Sequence, residues 1–404
     1  MLVRPTYLVM VTAENNNKFY NCFPEGDRFR VEYGRVNASS TTTYYPMSKW
    51  DSQINSKIKK GYKDVTDLKS SLVVEDEQDP YKPIDVESVR IVIEKLQREA
   101  REVVKRNYTV TANAVTQDMI EAAQNAIDDI AISMSSLDVP VFNKALLELF
   151  TIIPRSMGKV QNYLAQSNND YEKIIIREQD LLDAMRTQVV STVKTDLQCE
   201  NNKNYNQTVL EAFGLKMREA SSSDIDLIKK LMRSQAGKFK RAWVVTNLET
   251  QKLFDNFVKE NNISKRKLLW HGSRTENFWS IMKTGLKLRP TNAVITGKMF
   301  GFGTYFSPSC SKSIGYTSLS GSYWAGGSSN RAYMALFDVA YGTPYDVYDF
   351  DPKYYDLNYD KLQRFKKGAN CLHAHADKGM LRKDEIVVYK EEQMTIKYLI
   401  EIGR

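Results

Sequence analysis

The chain has 404 residues, is 42% hydrophobic and 26% charged, and carries a formal net charge of +8. These proportions are typical of an ordinary soluble protein, and the length predicts two to four domains. No apolar run approaches the ~20 residues of a membrane-spanning helix, and the N-terminal YLVMV is too short for a secretory signal. We therefore expect an intracellular protein with no membrane partner.

The cysteines are scattered along the chain and form no CxxC pair; they are Cys22, Cys199, Cys310 and Cys371. This spacing argues against a disulfide framework and against a zinc finger, and it favours reduced thiols in a reducing compartment. The excess of positive charge is compatible with binding to nucleic acid, although many basic proteins bind none.

Residues 1–80 are predicted to form a small β-rich domain. TYLVMV and RFRVEYGRV are rich in strand-forming residues, and PEGD predicts a turn between strands. Residues 47–60, MSKWDSQINSKIKK, follow with a helical pattern. The acidic, proline-containing EDEQDPYKPID at 75–85 predicts a linker.

Residues 85–195 are predicted to form an all-helical domain. VESVRIVIEKLQREAREVVK and TQDMIEAAQNAIDDIAISM carry apolar residues at helical spacing. VFNKALLELFTII stops before Pro154, and YEKIIIREQDLLDAM follows after a polar loop. At least four helices joined by short loops predict a bundle.

Residues 200–404 are predicted to form an α+β domain with an antiparallel-rich sheet. FKRAWVVTN, RKLLWHGS, RAYMALFDVAYG, EIVVYK and TIKYLIEI predict strands. ETQKLFDNFVKENN and TENFWSIMKTG predict helices, the second ending at Gly285. The whole chain is therefore predicted to be a multidomain α+β protein.

Polar residues fall at the ends of predicted strands in three segments of this last domain. The segments are LLWHGSR at 268–274, GFGTYFS at 301–307 and DEIVVY at 384–389. Because functional side chains gather at such ends, His271, Tyr305 and Glu385 are candidate site residues. The rings and glycines of MFGFGTYFSPSCSKSIGY, at 299–316, indicate a close-fitting surface for a flat ligand.

LLWHGSR, TGKMFGFGTYFSPSCSKSIGY and DEIVVYKEEQMTIKYLIEI occur in the order of the motifs of the poly(ADP-ribose) polymerase catalytic domain. Residues 205–404 resemble that domain as a whole. The resemblance implies an ADP-ribosyltransferase fold, NAD+ as a co-substrate that is consumed, and protein acceptors that include the chain itself. The flat ligand would be the nicotinamide ring.

The resemblance assigns the adenosine end and the carboxamide of NAD+ to three consecutive residues. His271 would hydrogen-bond the adenosine ribose, and Ser273 would lie near the adenosine end. The backbone N–H and C=O of Gly272 would clamp the nicotinamide carboxamide. Only a residue without a side chain lets a ligand approach the backbone so closely.

The resemblance places the remaining NAD+ contacts around the nicotinamide ring. Tyr305 and Tyr316 would sandwich the ring, and Ser313 would bond the carboxamide oxygen. Lys312 would contact the carboxylate of Glu385, which matches the catalytic glutamate. Breaking the bond between nicotinamide and ribose C1′ develops positive charge on the ribose, which a nearby carboxylate stabilises.

His271, Tyr305 and Glu385 together form the pattern of family members that make polymer. The predicted activity is therefore NAD+-dependent synthesis of poly(ADP-ribose) on protein acceptors. Two alternatives stay open at this point. One is a mono-ADP-ribosyltransferase, and the other is a DNA-end-binding protein whose transferase domain is inert.

NNNKFYNCFPEGDRFRVEYGRVNASST, at 15–41, resembles the WGR domain of DNA-dependent polymerases, with Tyr33-Gly34-Arg35 in place of Trp-Gly-Arg. The resemblance implies DNA strand breaks as partner and activator. The implied DNA contacts are Tyr33, which would stack on a sugar, and Arg35, Lys57, Lys59 and Lys60. Taken alone, the lysine run indicates only a solvated helix face.

LLELFTIIPRS and YEKIIIREQDLLDAM resemble the helical regulatory domain of the same polymerases. The resemblance implies that these helices cover the NAD+ site until DNA loosens them, and the alternative is a bundle that merely packs. The predicted domains are thus 1–80, 85–195 and 200–404. We expect a monomer, nuclear in a eukaryote and cytoplasmic in a bacterium.

CLHAHAD contains two histidines and a cysteine at alternate positions: Cys371, His373 and His375. Alternation would place the three side chains on one face of a strand, where they could ligate zinc. Because the sequence shows no fourth ligand, we expect no metal.

Overall fold

The computed structural model describes residues 4–14, 16–36, 38–66, 81–110, 115–133, 137–199, 206–288, 299–322, 326–376 and 381–404. Most of the predicted linker at 75–85, and residues 296–298 of the second motif, lie outside these ranges. Contacts divide the chain into two compact units. The first is Met1–Asp79 with Arg101–Leu197, and the second is Pro80–Ala100 with Gln198–Arg404.

The first unit begins with an antiparallel sheet that carries one helix. The strands are β1 (Thr6–Thr12), β2 (Asn16–Glu25), β3 (Arg28–Arg35), β4 (Thr41–Pro46) and β5 (Lys63–Asp64), and the helix is α1 (Trp50–Lys59). The strand order is β4-β3-β2-β1-β5. The core beneath the helix contains Leu8, Phe29 and Trp50, with the Phe29 and Trp50 rings edge to face at 4.9 Å. The strands and the helix predicted for this segment are therefore present.

Helices follow the sheet, as the apolar spacing predicts. They are α2 (Glu87–Asn107), α3 (Gln117–Ser133), α4 (Val139–Ile152) and α5 (Tyr171–Cys199). Asp138 caps α4 by accepting a hydrogen bond from the backbone N–H of Val141 at 2.9 Å. At the other end Ile153 is extended, since the residue before Pro154 avoids the helical conformation.

Helix α2 belongs to both units. Its first half contributes Val89, Val92, Ile93 and Leu96 to the main hydrophobic core of the second unit. Its last third, from Arg101 to Asn107, belongs to the first unit. The sequence predicts domains at 1–80, 85–195 and 200–404, whereas the contacts place the start of the helical segment with the last domain. The apolar spacing identifies the buried face of α2, but it does not reveal which core that face enters.

The second unit contains two sheets and a set of short helices. The strands are β6 (Leu215–Glu219), β7 (Phe239–Asn247), β8 (Lys267–Gly272), β9 (Thr304–Phe306), β10 (Arg331–Val339), β11 (Pro344–Val347), β12 (Cys371–Ala374), β13 (Glu385–Val388) and β14 (Met394–Gly403). The helices are α6 (Val209–Ala212), α7 (Ser222–Met232), α8 (Leu248–Glu260), α9 (Phe278–Thr284), α10 (Cys310–Ile314) and α11 (Tyr359–Phe365). An α+β fold rich in antiparallel strands is confirmed.

The strand order of the larger sheet is β6-β7-β14-β10-β8, and that of the smaller sheet is β11-β12-β13-β9. Only the β11–β12 pair is parallel among the pairs described. β10 is buried on both faces, so that Phe337 and Leu336 enter separate hydrophobic clusters. This buried strand holds β8 at the edge of the larger sheet.

Within the part of the chain that the structure describes, no helix has both the length and the apolar character needed to cross a membrane.

We expect Ile93→Ala to destabilise the second unit by about 2–5 kcal/mol, because the side chain is fully buried in its core. Ile91→Ala is the matched control: Ile91 lies on the same helix and is 49% exposed, so its loss should change stability by less than about 0.5 kcal/mol. Urea unfolding followed by tryptophan fluorescence measures the difference. Equal midpoints for the two variants would show that α2 is not part of this core.

Candidate active site

The outer edge of β8 faces the smaller sheet and forms one wall of the candidate site. Trp270 and Ser307 exchange two backbone hydrogen bonds, of 2.9 and 3.1 Å. The N–H and the C=O of Trp270 therefore both point away from β10. Because backbone groups in a strand repeat every second residue, the N–H and C=O of Gly272 point outward as well. A donor and an acceptor therefore lie side by side at the end of β8, as a carboxamide requires.

Gly272 also lies against α10. A Cβ atom on this residue would be 1.9 Å from the carbonyl oxygen of Ser313. Only glycine fits at such a distance. Ser313 is itself buried, and Tyr316 follows with its backbone N–H donating to the same carbonyl at 3.1 Å. The predicted residues Gly272, Ser313 and Tyr316 are thus brought together.

His271 is held by the strand that forms the opposite wall. Its Nδ1–H donates to the backbone carbonyl of Tyr305 at 3.3 Å. Part of the ring surface is accessible, yet protein atoms surround the imidazole, and this burial lowers the pKa of His271 to about 4. The ring is neutral at pH 7, so Nε2 is an acceptor that suits a donating ribose hydroxyl.

Tyr305 and Glu385 project from the same face of the smaller sheet. Tyr305 is paired with Val387 across β9 and β13, and Val387 and Glu385 are two residues apart on one strand. The Tyr305 hydroxyl donates to the carbonyl of Gly301 at 3.1 Å and accepts from the N–H of Phe300 at 2.9 Å. Burial, with a smaller contribution from Glu385, raises the pKa of Tyr305, so the phenol stays neutral.

The Glu385 carboxylate is bound by the lysine that the sequence assigns to it. Lys312 Nζ lies 2.6 Å from Glu385 Oε1, and it also donates to the carbonyl of Lys383 at 3.3 Å. Both side chains are largely shielded from solvent, with 17% and 11% exposed. A charge-assisted bond of this kind fixes the carboxylate in position.

One residue of the site was not predicted from the sequence. Asn277 Nδ2 donates to Ser273 Oγ at 3.1 Å, while Asn277 Oδ1 is buried and has no hydrogen-bond partner among the described residues. An unpartnered buried acceptor is costly unless a ligand donates to it. Asn277 therefore belongs with Ser273 at the predicted adenosine end. In the sequence, only its position four residues after Ser273 could have indicated that Asn277 lies near Ser273. Because asparagine is common in turns, that position alone does not indicate a binding residue.

Gly272, Tyr305, Ser313 and Glu385 line a site that we call the cradle. Tyr316 lies on its open side. Tyr316 is 40% exposed, whereas Tyr305 is half-buried. An exposed ring beside a glycine-lined wall can stack on a flat ligand. Together these groups offer a paired donor and acceptor, two aromatic rings and one fixed carboxylate, which can hold a carboxamide-bearing ring and stabilise positive charge beside it.

The predicted DNA-contacting residues lie in the first unit. Tyr33 is 37% exposed on β3, and Arg35, Lys59 and Lys60 are exposed as well. Lys57 differs from its neighbours because its Nζ lies 4.2 Å from the centre of the Tyr20 ring. Burial lowers the pKa of Lys57.

The predicted Cys371, His373 and His375 do not form a joint ligand set. Cys371 Sγ is buried and donates to the carbonyl of Tyr341 at 3.2 Å. His373 and His375 instead meet Asp346, and the potential ligand atoms of these three residues lie within 4.8 Å of one another. The described residues hold no other such group of three.

Comparison with known proteins identifies the second unit. Residues 222–403 match the model of the poly(ADP-ribose) polymerase catalytic domain. The chain is 32% identical over 192 residues to a putative poly [ADP-ribose] polymerase-like protein, 100L, of Invertebrate iridescent virus 6, covering 98% of that protein and 46% of the chain. It is 36% identical over 224 residues to the uncharacterized protein 101L of the same virus, covering 91% of it and 55% of the chain.

A longer relative is the human poly [ADP-ribose] polymerase 2, which is 26% identical over 287 residues. The match covers 64% of this chain but only 47% of the human protein. The fold, the cradle and these matches together define an ADP-ribosyltransferase that uses NAD+ as its co-substrate. The chain belongs to the poly(ADP-ribose) polymerase family.

We expect Gly272→Ala to reduce turnover of NAD+ by about 10²-fold, because the added methyl group must displace the Ser313 carbonyl and with it the cradle. Gly237→Ala is the control, since a Cβ atom there meets nothing within 4 Å. Nicotinamide release at saturating NAD+ and calorimetric NAD+ affinity measure the effect. Unchanged values in Gly272→Ala would show that NAD+ binds elsewhere.

Proposed function

We propose that this enzyme attaches ADP-ribose to protein side chains, including its own, and extends the product into poly(ADP-ribose). The observation that supports extension is the carboxylate of Glu385, held by Lys312 on the same face as Tyr305. A transferase that adds one unit must stabilise the departing nicotinamide and the charged ribose, and admit a protein acceptor. A polymerase must also activate a ribose hydroxyl as the next acceptor, and a fixed carboxylate can accept that hydrogen bond.

The reaction begins when the bond between the nicotinamide nitrogen and ribose C1′ breaks. The electron pair of the bond leaves with nicotinamide, which becomes neutral, and positive charge develops on the ribose. The peptide groups of Gly272 hold the carboxamide, and Glu385 stabilises the ribose charge. An acceptor oxygen then forms the new bond to C1′. Where the acceptor is a hydroxyl, its proton passes to the Glu385 carboxylate and from there to solvent.

We expect Glu385→Gln to lower ADP-ribose transfer by about 10²–10³-fold, equivalent to ~3–4 kcal/mol of transition-state stabilisation. NAD+ binding should persist, because the Gly272 edge and both tyrosine rings are unchanged. Glu392→Gln, a partly exposed glutamate seven residues further along, is the matched control. Labelled NAD+ and a sizing gel measure rate and product length together.

The two possible products separate on that gel. A ladder from the wild type and none from Glu385→Gln supports the polymerase. Single units from the wild type would establish mono-ADP-ribosylation instead. Normal ladders from Glu385→Gln would contradict the role of the carboxylate.

DNA strand breaks are proposed as the activator, with residues 1–80 acting as a WGR-like domain and residues 85–195 as a helical regulatory domain. The supporting observation is the surface around Tyr33, an exposed ring on a sheet, beside the basic end of α1. Exposed rings stack on sugars and bases, and lysines neutralise phosphates. An enzyme activated in this way would act inside the cell, wherever the DNA is.

The lysines of α1 are expected to divide their roles. Lys59 and Lys60 are exposed and can reach phosphates. The Lys57 ammonium lies 4.2 Å from Tyr20, 5.5 Å from Tyr62 and 6.0 Å from Tyr33, measured to the ring centres. Cation–π contacts of this kind hold rings in place. Lys57 is therefore proposed to support Tyr33 rather than to contact DNA.

We expect Lys59→Gln and Lys60→Gln each to lower the slope of log K against log salt by about 0.9 for nicked duplex DNA, the value for one lost phosphate contact. Lys57→Gln should weaken binding with little change in that slope, because it disturbs Tyr33. Lys252→Gln, an exposed lysine of the second unit, is the control. Fluorescence anisotropy over a salt series measures all four, and equal slopes throughout would contradict the assignment.

Activation is measured separately from binding. Turnover of NAD+ by the full chain with and without nicked duplex tests it directly. A rate that is independent of DNA would remove DNA breaks from the proposed function while leaving the transferase activity intact.

A further inference from the structure

A cluster of two histidines and two carboxylates lies behind the catalytic sheet. Asp346 on β11 is paired with His373 on β12 in the parallel register. His375 follows two residues later, and its backbone N–H donates to Val347 at 2.8 Å, which continues that pairing. Asp346, His373 and His375 therefore project from one face of the sheet.

This face is opposite to the one that carries the catalytic groups. In the antiparallel pair of β12 and β13, His373 is opposite Ile386, whereas Ala374 is opposite Glu385. Side chains of directly paired residues share a face, so the histidines and Glu385 are on different faces. The cluster is thus separate from the NAD+ cradle, although Asp384, the neighbour of Glu385 in sequence, contacts it.

The hydrogen bonds within the cluster orient its nitrogen and oxygen atoms towards each other. His375 Nε2 lies 2.8 Å from Asp346 Oδ1. His373 Nε2 lies 3.2 Å from Asp384 Oδ2. The two imidazole rings are stacked with their centres 3.9 Å apart. Polar side chains of two adjacent strands thus converge, with His373 buried, His375 half-buried and Asp346 exposed. Each Nε2–H donates to a carboxylate here, and a bound cation would take the place of that proton.

We propose that Asp346, His373 and His375 bind one divalent transition-metal ion of the zinc class. Their ligand atoms already lie within 4.8 Å of one another. Tetrahedral zinc with bonds of 2.0–2.1 Å needs ligand atoms about 3.3 Å apart, so the widest separation closes by about 1.5 Å.

The surroundings of His373 contain the support that a metal-binding histidine requires. The ring nitrogen that faces away from the cluster, Nδ1, lies 2.8 Å from the hydroxyl of Tyr341. In the observed bonds Nε2–H donates to Asp384 and Nδ1 accepts from the Tyr341 hydroxyl. Because a phenol can also accept, the same hydroxyl can hold the other tautomer, in which Nδ1–H donates to it and Nε2 ligates the metal. Asp384 Oδ1 is fixed by the backbone N–H of Ala376 at 3.0 Å, which leaves Oδ2 directed at the same ring.

The charges around the cluster determine which ions bind. Lys265 and Lys267 lie next to the cluster, with their ammonium groups 4.9 and 3.6 Å from the centre of the Tyr341 ring. Lys267 interacts electrostatically with both Asp346 and Asp384, and its positive charge opposes theirs. The local field therefore does not attract cations in general. Binding must come from nitrogen coordination, which favours zinc over magnesium or calcium.

A bound ion would connect β11 and β12 directly, and it would reach the start of β13 through Asp384. That strand presents Glu385 on the opposite face. The ion would thus stabilise the sheet behind the catalytic carboxylate without touching NAD+. This role is independent of the proposed polymer synthesis and of DNA binding. It departs from the expectation of no metal, because Asp346 supplies the ligand that the sequence did not reveal.

The test uses the full chain purified without a histidine tag and treated with a chelator, which is then removed. Titration calorimetry with zinc chloride should show one equivalent bound, and magnesium chloride should show none. Asp346→Asn and His375→Gln should each weaken zinc at least about tenfold, as should Tyr341→Phe through the lost support of His373. Zinc should also raise the melting temperature of the wild type and not that of Asp346→Asn.

Two controls separate this site from adventitious binding. The chain has three histidines, and His271→Gln removes the only one outside the cluster. Cys371→Ser removes the neighbouring thiol. Both variants should bind zinc as the wild type does. Any of three results would overturn the proposal: no saturable zinc binding, binding of several zinc equivalents, or equal zinc affinity in Asp346→Asn and the wild type.

A variant that fails to fold does not leave the question open. Cobalt(II) added to the wild type gives a visible spectrum whose intensity and position report nitrogen and oxygen ligands in tetrahedral geometry. A weak spectrum like that of cobalt(II) in water, which has six water ligands in octahedral geometry, would also overturn the proposal. Asp346 is exposed, so Asp346→Asn is the least disruptive of the variants.

Discussion

The active site depends on the paired backbone hydrogen bonds between Trp270 and Ser307. These bonds of 2.9 and 3.1 Å join the edge of the larger sheet to the smaller one. Because of the direction of these bonds, the N–H and the C=O of Gly272 face the cradle. They also bring His271 within reach of the Tyr305 carbonyl. Without this bridge the histidine motif would be separate from the tyrosine and glutamate motifs, which the pairing of β9 with β13 brings together.

Glycine at two positions of the site is required by the protein's own backbone. Gly272 lies against Ser313, and Gly301 has a φ of +73° and lies so close to Leu357 that a Cβ atom would be 2.1 Å from its carbonyl oxygen. The sequence indicates a close-fitting surface at these glycines but attributes the fit to a ligand. At Gly301 the fit is instead to a neighbouring loop, since spacing along the chain does not reveal which distant segment approaches.

Local patterns predicted most of the longer elements of this fold but not α7, α11, β6 or β11. The ordered motifs predicted most of the cradle. Three features depended on long-range pairing and could not be predicted. Asn277 is recognised only by its buried oxygen, which has no hydrogen-bond partner among the described residues. Asp346 joins the histidines only through the parallel register of β11 with β12. Asp384 and Glu385 are consecutive in one motif, yet alternation along the strand directs them to opposite faces, one towards His373 and one towards Lys312.

Helix α2 contributes residues to both units, whereas the sequence pattern predicts a domain boundary before it. The position of this boundary therefore bears on the proposed regulation. Residues 89–96 contribute to the transferase core, while the helix continues to Asn107 in the unit that carries the proposed DNA surface. Helix formation is cooperative, because each turn depends on the hydrogen bonds of the turn before it. A disturbance in the last third of α2 is therefore expected to reach the earlier turns through the helical hydrogen bonds that connect them. Control of the NAD+ site by DNA, as proposed, needs such an element, whose order both units affect.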